Sequence, residues 1–161
     1  MSERDELHAV IGVWFRGPLT WYVKRSLKME NYPGVWSLPS VRIARDEIPD
    51  PANIELAVPA FQRMSAERLG GAPIQVHDYL VSGSSAINPM RLQVTLHLYA
   101  IDFATAPRLN PAYMTEARWM SAAEYRQASV GQQCGLCLRL WSDQAWLLGL
   151  ADQPFEVAAQ R

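Results

Sequence analysis

Cysteine is scarce in this sequence. Its 161 residues include only two cysteines, Cys134 and Cys137, and the C-x-x-C that they form has no second pair and no histidine nearby. A structural zinc site would therefore lack half of its ligands. Two interpretations of the pair remain open: a redox motif, for which the usual preceding strand is missing, and two small residues on a helix.

Long apolar runs and an excess of one charge are also missing. No run approaches the roughly 18 apolar residues of a membrane span, and the charged start, residues 1–6, is unlike a secretory signal. Fifteen basic and sixteen acidic residues give a net charge of −1. The charged start and the missing apolar runs lead us to expect a cytoplasmic protein. The balanced charge leads us to expect neither a membrane nor duplex nucleic acid as a partner, because neither anionic surface would be attracted. A polyanionic small molecule would have to be bound by local basic residues.

The composition that remains is that of one globular domain. A chain of 161 residues that is 49% hydrophobic and 19% charged can bury a sizeable core, so we expect residues 1–161 to form a single domain. Apolar periodicity predicts its elements. They are a hairpin of strands 8–15 and 19–26, a helix from about 58 or 59 to 69, strands 73–81, 90–101 and 116–120, a helix capped by Ser121 and Glu124, and an amphipathic helix over 134–150.

A longer pattern joins residues 36–39, which read Trp-Ser-Leu-Pro, to a predicted helix that carries Arg63 and Glu67 one turn apart and ends at Gly70. This pattern resembles the Nudix hydrolase family, whose box runs G-x5-E-x7-R-E-U-x-E-E-x-G-U, with U a bulky aliphatic residue, in a W-x-L-P-G-G context. Arg63, Glu67 and Gly70 match the box. An exposed ion pair on a surface helix would show the same spacing of Arg63 and Glu67.

The box is both substituted and lengthened in this chain. Asp46 falls at the first Glu of the box, and sixteen residues separate it from Arg63, where the family has seven. The substitutions are Ser40 for the first Gly, Met64 for the Glu that follows the Arg, Arg68 for the second Glu of the pair, and Gly71 for the last aliphatic residue. A thioether is too soft to bind Mg²⁺, and an arginine adds positive charge beside the expected site.

The resemblance implies a fold and a set of site residues. The fold is an α+β, Nudix-like α/β/α sandwich in which helices flank a mixed central sheet. An intact box holds Mg²⁺, or Mn²⁺, through several glutamates on one helix face and a backbone carbonyl of the preceding loop. On this chain the implied roles are as follows: Glu67 and Arg63 catalytic, with Arg63 orienting Glu67 by an ion pair; Glu67, Asp46 and Glu47 as metal ligands; and Trp36, Arg25, Arg42 and Glu116 as substrate-binding residues.

Two functions follow from the resemblance. One is a Mg²⁺-dependent hydrolase of nucleoside-diphosphate-linked compounds, which the retained Arg63 and Glu67 favour. The other is a Nudix-fold nucleotide-binding or regulatory protein that has lost turnover, which the missing glutamates favour. An unrelated α+β domain with coincidental spacing is a third interpretation. Six tryptophans and an apolar C-terminal helix also lead us to expect a homodimer.

Overall fold

The computed structural model describes residues 6–29, 33–85, 93–128 and 135–150. A short 3-10 helix, Ile54–Leu56, precedes the first α-helix. The strands are β1 (Glu6–Val13), β2 (Phe15–Arg16), β3 (Leu19–Arg25), β4 (Trp36–Ser37), β5 (Ser40–Ile43), β6 (Ile74–Ser85), β7 (Gln93–Phe103) and β8 (Met114–Met120), and the helices are α1 (Val58–Arg68), α2 (Ala122–Ala128) and α3 (Gly135–Leu147).

The first sheet has β1 and β7 as its two inner strands. Its order is β5-β1-β7-β6. β1 is antiparallel to β5 and parallel to β7, and β6 is antiparallel to β7. The apolar run at the start of the sequence is thus a buried strand with a partner on each edge, which is typical of a parallel pair inside a sheet. The parallel contact makes this sheet mixed.

The second sheet is built on β3. The strand β8 pairs with β3 from Thr20 to Arg25, and the short strands β2 and β4 pair with the beginning and the end of β3. The predicted hairpin of strands 8–15 and 19–26 is wrong except at its turn, where β2 pairs with Leu19 and Thr20. Because β5 and β7 occupy both edges of β1, no edge is left for β3, and the chain passes to the second sheet at Trp14.

Alternating residues of the strands form two cores. In β1, Val10 packs on the side of α1, whereas Ile11 packs on the side of α2 and α3. Phe61 of α1 and Trp141 of α3 are almost completely buried, one in each core. Helices therefore cover both faces of the strands. The predicted α+β sandwich with a mixed sheet between helices is confirmed, and its strands are divided between two sheets.

Two predicted helix starts are confirmed. α1 begins at Val58 and carries Pro59 in its first turn, where proline removes only an N–H that would have no partner. Before α2, the Glu124 N–H donates to Ser121 Oγ at 3.2 Å, and the Ser121 N–H donates to Glu124 Oε1 at 3.0 Å. This is the predicted capping box, which satisfies two N–H groups reciprocally.

The structure describes one of the two cysteines. Cys137 is buried in α3 against the sheet core. Cys134 lies outside the described residues, so both interpretations of the C-x-x-C remain predictions. Within the described ranges, no helix is long and apolar enough to cross a bilayer.

Candidate functional site

Arg63 projects from the middle of α1 toward the loop after β5. Its Nη1 donates to Glu47 Oε2 at 3.1 Å and its Nη2 to Glu47 Oε1 at 3.3 Å, and Nη2 also donates to the Arg42 carbonyl at 2.9 Å. The expected ion pair between Arg63 and Glu67 is therefore replaced by a two-pronged pair with Glu47. The physical reason is geometric: the loop brings a carboxylate in the plane of the guanidinium fork, which a neighbour on the same helix cannot do.

Glu47 is fixed from two directions. Its Oε1 also accepts the Ala44 N–H at 3.1 Å, which closes the turn that carries it. Burial alone would raise the pKa of Glu47, but the hydrogen bonds from Arg63 and Ala44 outweigh it and lower the pKa below the ordinary carboxyl value. Asp46, which motif counting placed at the first Glu of the box, is exposed one residue away. The carboxylate that reaches α1 is thus Glu47, and its oxygens are already in use.

The Glu47 pair gives an expected pH dependence. A carboxyl whose pKa is lower in the folded state contributes stability above its unfolded pKa of about 4.3 and loses it as the pH falls through the folded value. We expect Glu47→Gln to lower the free energy of unfolding by roughly 1 kcal/mol at pH 7, with the deficit shrinking below about pH 4. Urea titrations at both pH values measure this. Glu55→Gln, at an exposed position of the 3-10 helix, is the control. A stability deficit of Glu47→Gln that is constant with pH would contradict the assignment.

Glu67 lies in the last turn of α1. It is exposed, and no side chain in the part of the chain that the structure describes forms an ion pair with its carboxylate. Its backbone carbonyl accepts from Asn110 Nδ2 at 2.8 Å, which ties the helix end to the loop before β8. Glu67 is therefore the one candidate of the predicted metal set whose carboxylate is open to a ligand and lies on the helix itself.

The predicted substrate-binding residues do not gather around Glu67. Trp36 is only 7% exposed, belongs to the core on the side of α2 and α3, and has the Arg118 guanidinium 5.1 Å from its ring centre. Glu116 is exposed, within 3.6 Å of Lys24 Nζ and 3.7 Å of Arg118 Nη2. Arg25 ends β3, and Arg42 is exposed on β5, where its carbonyl binds Arg63. Trp36 therefore lies in the core opposite α1, because strand residues alternate between faces.

Arg68 forms a contact that the sequence analysis did not predict. From the last turn of α1 its Nη1 donates to the Ser40 carbonyl oxygen at 3.0 Å, and its guanidinium carbon lies 4.4 Å from the ring centre of Tyr113. Its Nε is buried without a hydrogen-bond partner. Burial lowers the pKa of Arg68, yet a guanidinium remains charged at neutral pH. A cation therefore stands between α1 and the Trp-Ser-Leu-Pro segment.

A divalent cation does not fit the residues at this position. The carbonyl of Ser40, at the start of β5, already accepts from Arg68. Over the described residues, no three histidine, cysteine or acidic side chains converge as ligands of one ion. Two like unit charges about 4 Å apart repel by roughly 4 kcal/mol near a protein surface, and a divalent ion doubles that cost. The donor set and the charge of Arg68 both disfavour Mg²⁺ here.

The segment 106–110 connects the end of α1 to a cleft. The Arg108 N–H donates to the Leu69 carbonyl at 3.1 Å, and the Asn110 N–H donates to the Arg68 carbonyl at 2.9 Å. These bonds satisfy carbonyls that a helix end leaves without partners. Pro107, just before Arg108, and Leu109, between Arg108 and Asn110, line the cleft. The helix end and one wall of the cleft are therefore held by the same short stretch of chain.

The cleft is an aromatic pocket with a volume of about 480 Å³. Trp14, Trp21 and Trp119 form its walls, and Thr115 and Glu116 contribute polar groups. Trp14 and Trp21 belong to the core that also contains Phe61, so the pocket lies on the side of α1. Arg16 lies 4.9 Å and 5.6 Å from the ring centres of Trp14 and Trp119. Indole faces with a guanidinium beside them can bind a planar ring that carries anionic groups.

Comparisons with known proteins bear on the fold. No protein-family model matches this sequence, and no curated protein does. Among solved structures, a Nudix hydrolase from Nitrosomonas europaea superposes with a TM-score of 0.65 at 13% identity, over 96% of each chain. A MutT Nudix hydrolase from Burkholderia pseudomallei gives 0.55 at 18% identity, over 80% of this chain and 88% of the other.

A third solved structure contains a ligand. The Nudix domain of NrtR from Shewanella oneidensis, complexed with ADP ribose, superposes with a TM-score of 0.53 at 22% identity, over 76% of this chain and 77% of the other. At these identities the similarity establishes architecture. The chain has a Nudix-like fold, as the resemblance of residues 36–70 to the Nudix box implied.

Proposed function

We propose that this Nudix-like protein binds a nucleoside-diphosphate-linked small molecule and lacks Mg²⁺-dependent turnover. The observation that carries this proposal is which contacts the acidic residues near α1 make. Glu47 is engaged by Arg63 and Ala44, so Glu67 is the one carboxylate that α1 offers to a ligand. Activating water and neutralising two phosphoryl groups through Mg²⁺ requires oxygen ligands fixed in near-octahedral geometry. One exposed glutamate supplies one such ligand.

The aromatic pocket supports the class of ligand. Trp119 offers a partly exposed ring beside the largely buried Trp14 and Trp21, on the same side of the sheets as α1. A nucleobase stacks on such surfaces with about 1–3 kcal/mol per base. Arg16 and Arg68 supply positive charge on that side of the molecule. Because the Nudix domain that binds ADP ribose has the same architecture, we propose ADP-ribose-like compounds as the ligands to test first.

A second candidate function is Mg²⁺- or Mn²⁺-dependent hydrolysis of such compounds. It is favoured by one observation, the exposed carboxylate of Glu67 at the end of α1. If Glu67 acts in turnover, Glu67→Gln should lower a metal-dependent rate at least about tenfold, which corresponds to about 1.4 kcal/mol of transition-state stabilisation. The binding proposal instead expects no metal-dependent phosphate or nucleotide release from ADP ribose in the wild-type protein.

Removing one pocket wall tests the binding site directly. We expect Trp119→Ala to weaken ADP-ribose binding at least about fivefold in calorimetric titrations, because one stacking surface is lost. Trp36→Phe is the control. It removes a tryptophan from the opposite core while keeping an aromatic ring there, and it should leave the affinity unchanged. Equal losses of affinity in both variants, or a loss in Trp36→Phe alone, would contradict binding in the pocket. Such a result would favour the predicted contact with Trp36.

The remaining expectations concern location and assembly. A cytoplasmic location remains a prediction from the charged start and the missing apolar runs of the sequence. The absence of a membrane or duplex nucleic acid as a partner remains a prediction from its charge balance. The homodimer also remains a prediction. It is supported by Leu147 and Leu148, which lie at the end of α3 with 69% and 45% of their surfaces exposed.

A further inference from the structure

Three features of Arg68 bear on what it can bind. Its guanidinium donates to the carbonyl of Ser40, the first residue of β5, at 3.0 Å. One face lies 4.4 Å from the ring centre of Tyr113, which fixes the plane of the group. Its Nε is buried and has no hydrogen-bond partner. A guanidinium has five N–H donors in a rigid fork, and because the Nε–H of Arg68 is buried, its Nη groups are the donors that can reach a ligand.

The position of this group decides what it can do. It lies between the end of α1, which carries Glu67, and Ser40 at the start of β5, the two segments from which the resemblance implies metal ligands. A guanidinium there takes the carbonyl as an acceptor and repels any second cation. It also matches the geometry of a phosphate, whose oxygens accept parallel N–H bonds from an arginine fork. Arg68 therefore carries both properties that the diphosphate of a ligand requires, positive charge and oriented donors.

We propose that Arg68 takes the place of the divalent cation and binds the diphosphate of the ligand directly, without metal. This inference rests on the proposed function, since it assigns the phosphate-binding group of the same ligand. It involves no covalent step. Glu67 then lies beside an arginine rather than a metal. The Ser40 carbonyl is bound by Arg68, and the Glu67 carboxylate stays exposed.

A purely structural role for Arg68 makes different predictions. If Arg68 only fastens α1 to the Ser40 segment, replacing it should lower stability without changing how the folded protein binds ions. The decisive measurements are therefore of binding to folded protein, with Mn²⁺ alone and with pyrophosphate alone as probes. Both probes lack a nucleobase, so the results are independent of the aromatic pocket and of ADP-ribose binding.

The experiment compares wild type with Arg68→Gln and Arg68→Glu. We expect wild type to show no saturable Mn²⁺ binding by electron paramagnetic resonance, and Arg68→Glu, which places a second carboxylate next to Glu67, to gain a site at least about tenfold tighter than any binding by wild type. In the presence of EDTA, pyrophosphate should bind wild type and bind Arg68→Gln at least about tenfold more weakly. Arg139→Glu, an exposed arginine of α3, makes the same charge change on the opposite face and should alter neither result.

Two results would overturn the proposal. One is saturable Mn²⁺ binding by wild type that Glu67→Gln removes, which would show that Arg68 leaves room for a metal. The other is unchanged pyrophosphate affinity in folded Arg68→Gln, which would leave Arg68 its fastening role only. If Arg68→Glu does not fold, the wild-type Mn²⁺ measurement and Arg68→Gln still decide between these outcomes. Failure of ADP-ribose binding with intact pyrophosphate binding would instead contradict the proposed function.

Discussion

Phe61→Ala is expected to lower the free energy of unfolding by about 3–5 kcal/mol, the usual cost of emptying a buried aromatic site. Phe61 is completely buried on the inner face of α1 and meets Tyr99 of β7 edge to face, with ring centres 5.6 Å apart. It also lies against Gly12 of β1, where an added Cβ would be 3.2 Å from the Phe61 ring. Phe61 therefore joins α1 to both inner strands of the first sheet. A domain whose free energy of unfolding is about 5–15 kcal/mol would lose a large part of its stability.

Chemical denaturation of wild type, Phe61→Ala and Gln62→Ala measures this effect. Gln62 is the next residue of α1 and is exposed, so its truncation should change stability by no more than about 0.5 kcal/mol. Similar losses in the two variants would show that α1 does not pack as described. Because α1 also carries Arg63, Glu67 and Arg68, folded Phe61→Ala should bind pyrophosphate more weakly than Gln62→Ala does.

Gly70→Ala has the second large expected effect, a loss of about 2–5 kcal/mol in the free energy of unfolding, which is the sum of two costs. The residue has φ = +71°, a left-handed conformation that costs a residue with a Cβ about 1–2 kcal/mol. A Cβ at Gly70 would also lie 2.8 Å from Arg108 Cβ and 3.2 Å from the Arg108 carbonyl oxygen. Relieving such overpacking costs about 1–3 kcal/mol and would push the segment 106–110 away from the helix end.

Gly71→Ala separates the two costs. Gly71 has φ = +76° and open space where a Cβ would be, so its alanine variant should show the backbone cost alone. In thermal and urea unfolding, Gly70→Ala should therefore be less stable than Gly71→Ala. Displacing segment 106–110 would also disturb Pro107 and Leu109, so ADP-ribose binding should weaken in Gly70→Ala. Equal stability of the two variants would contradict the contact between Gly70 and Arg108.

Local signals in the sequence were sufficient for several elements. The position of Pro59 and the spacing of Phe61, Met64 and Leu69 located α1 almost to the residue, because proline placement and apolar periodicity act within one helix. Ser121 and Glu124 located the start of α2 in the same way. The resemblance of residues 36–70 to the Nudix box supplied the arrangement of layers, which local patterns alone do not encode.

The features that were missed depend on contacts between distant segments. Nothing local distinguishes Glu47 from Asp46, yet only Glu47 is turned toward Arg63. The strands that pair with β1 are β5 and β7, so the predicted pairing with β3, which follows soon after in the sequence, was wrong. Trp36 fell in the opposite core because strand alternation places it there. The aromatic pocket had one weak signal, tryptophans on both sides of the Gly17–Pro18 turn, at Trp14 and Trp21.

The parallel pairing of β1 with β7 has a consequence for how the protein is made. During synthesis β1 leaves the ribosome early, whereas its long partner follows only after α1 and β6. Until then one edge of β1, including Val10 and Val13, has no strand beside it and can pair with other chains. Contacts between such distant segments also slow folding, since the intervening loop must close first. Nascent chains that stop short of β7 should therefore be the most aggregation-prone species of this protein.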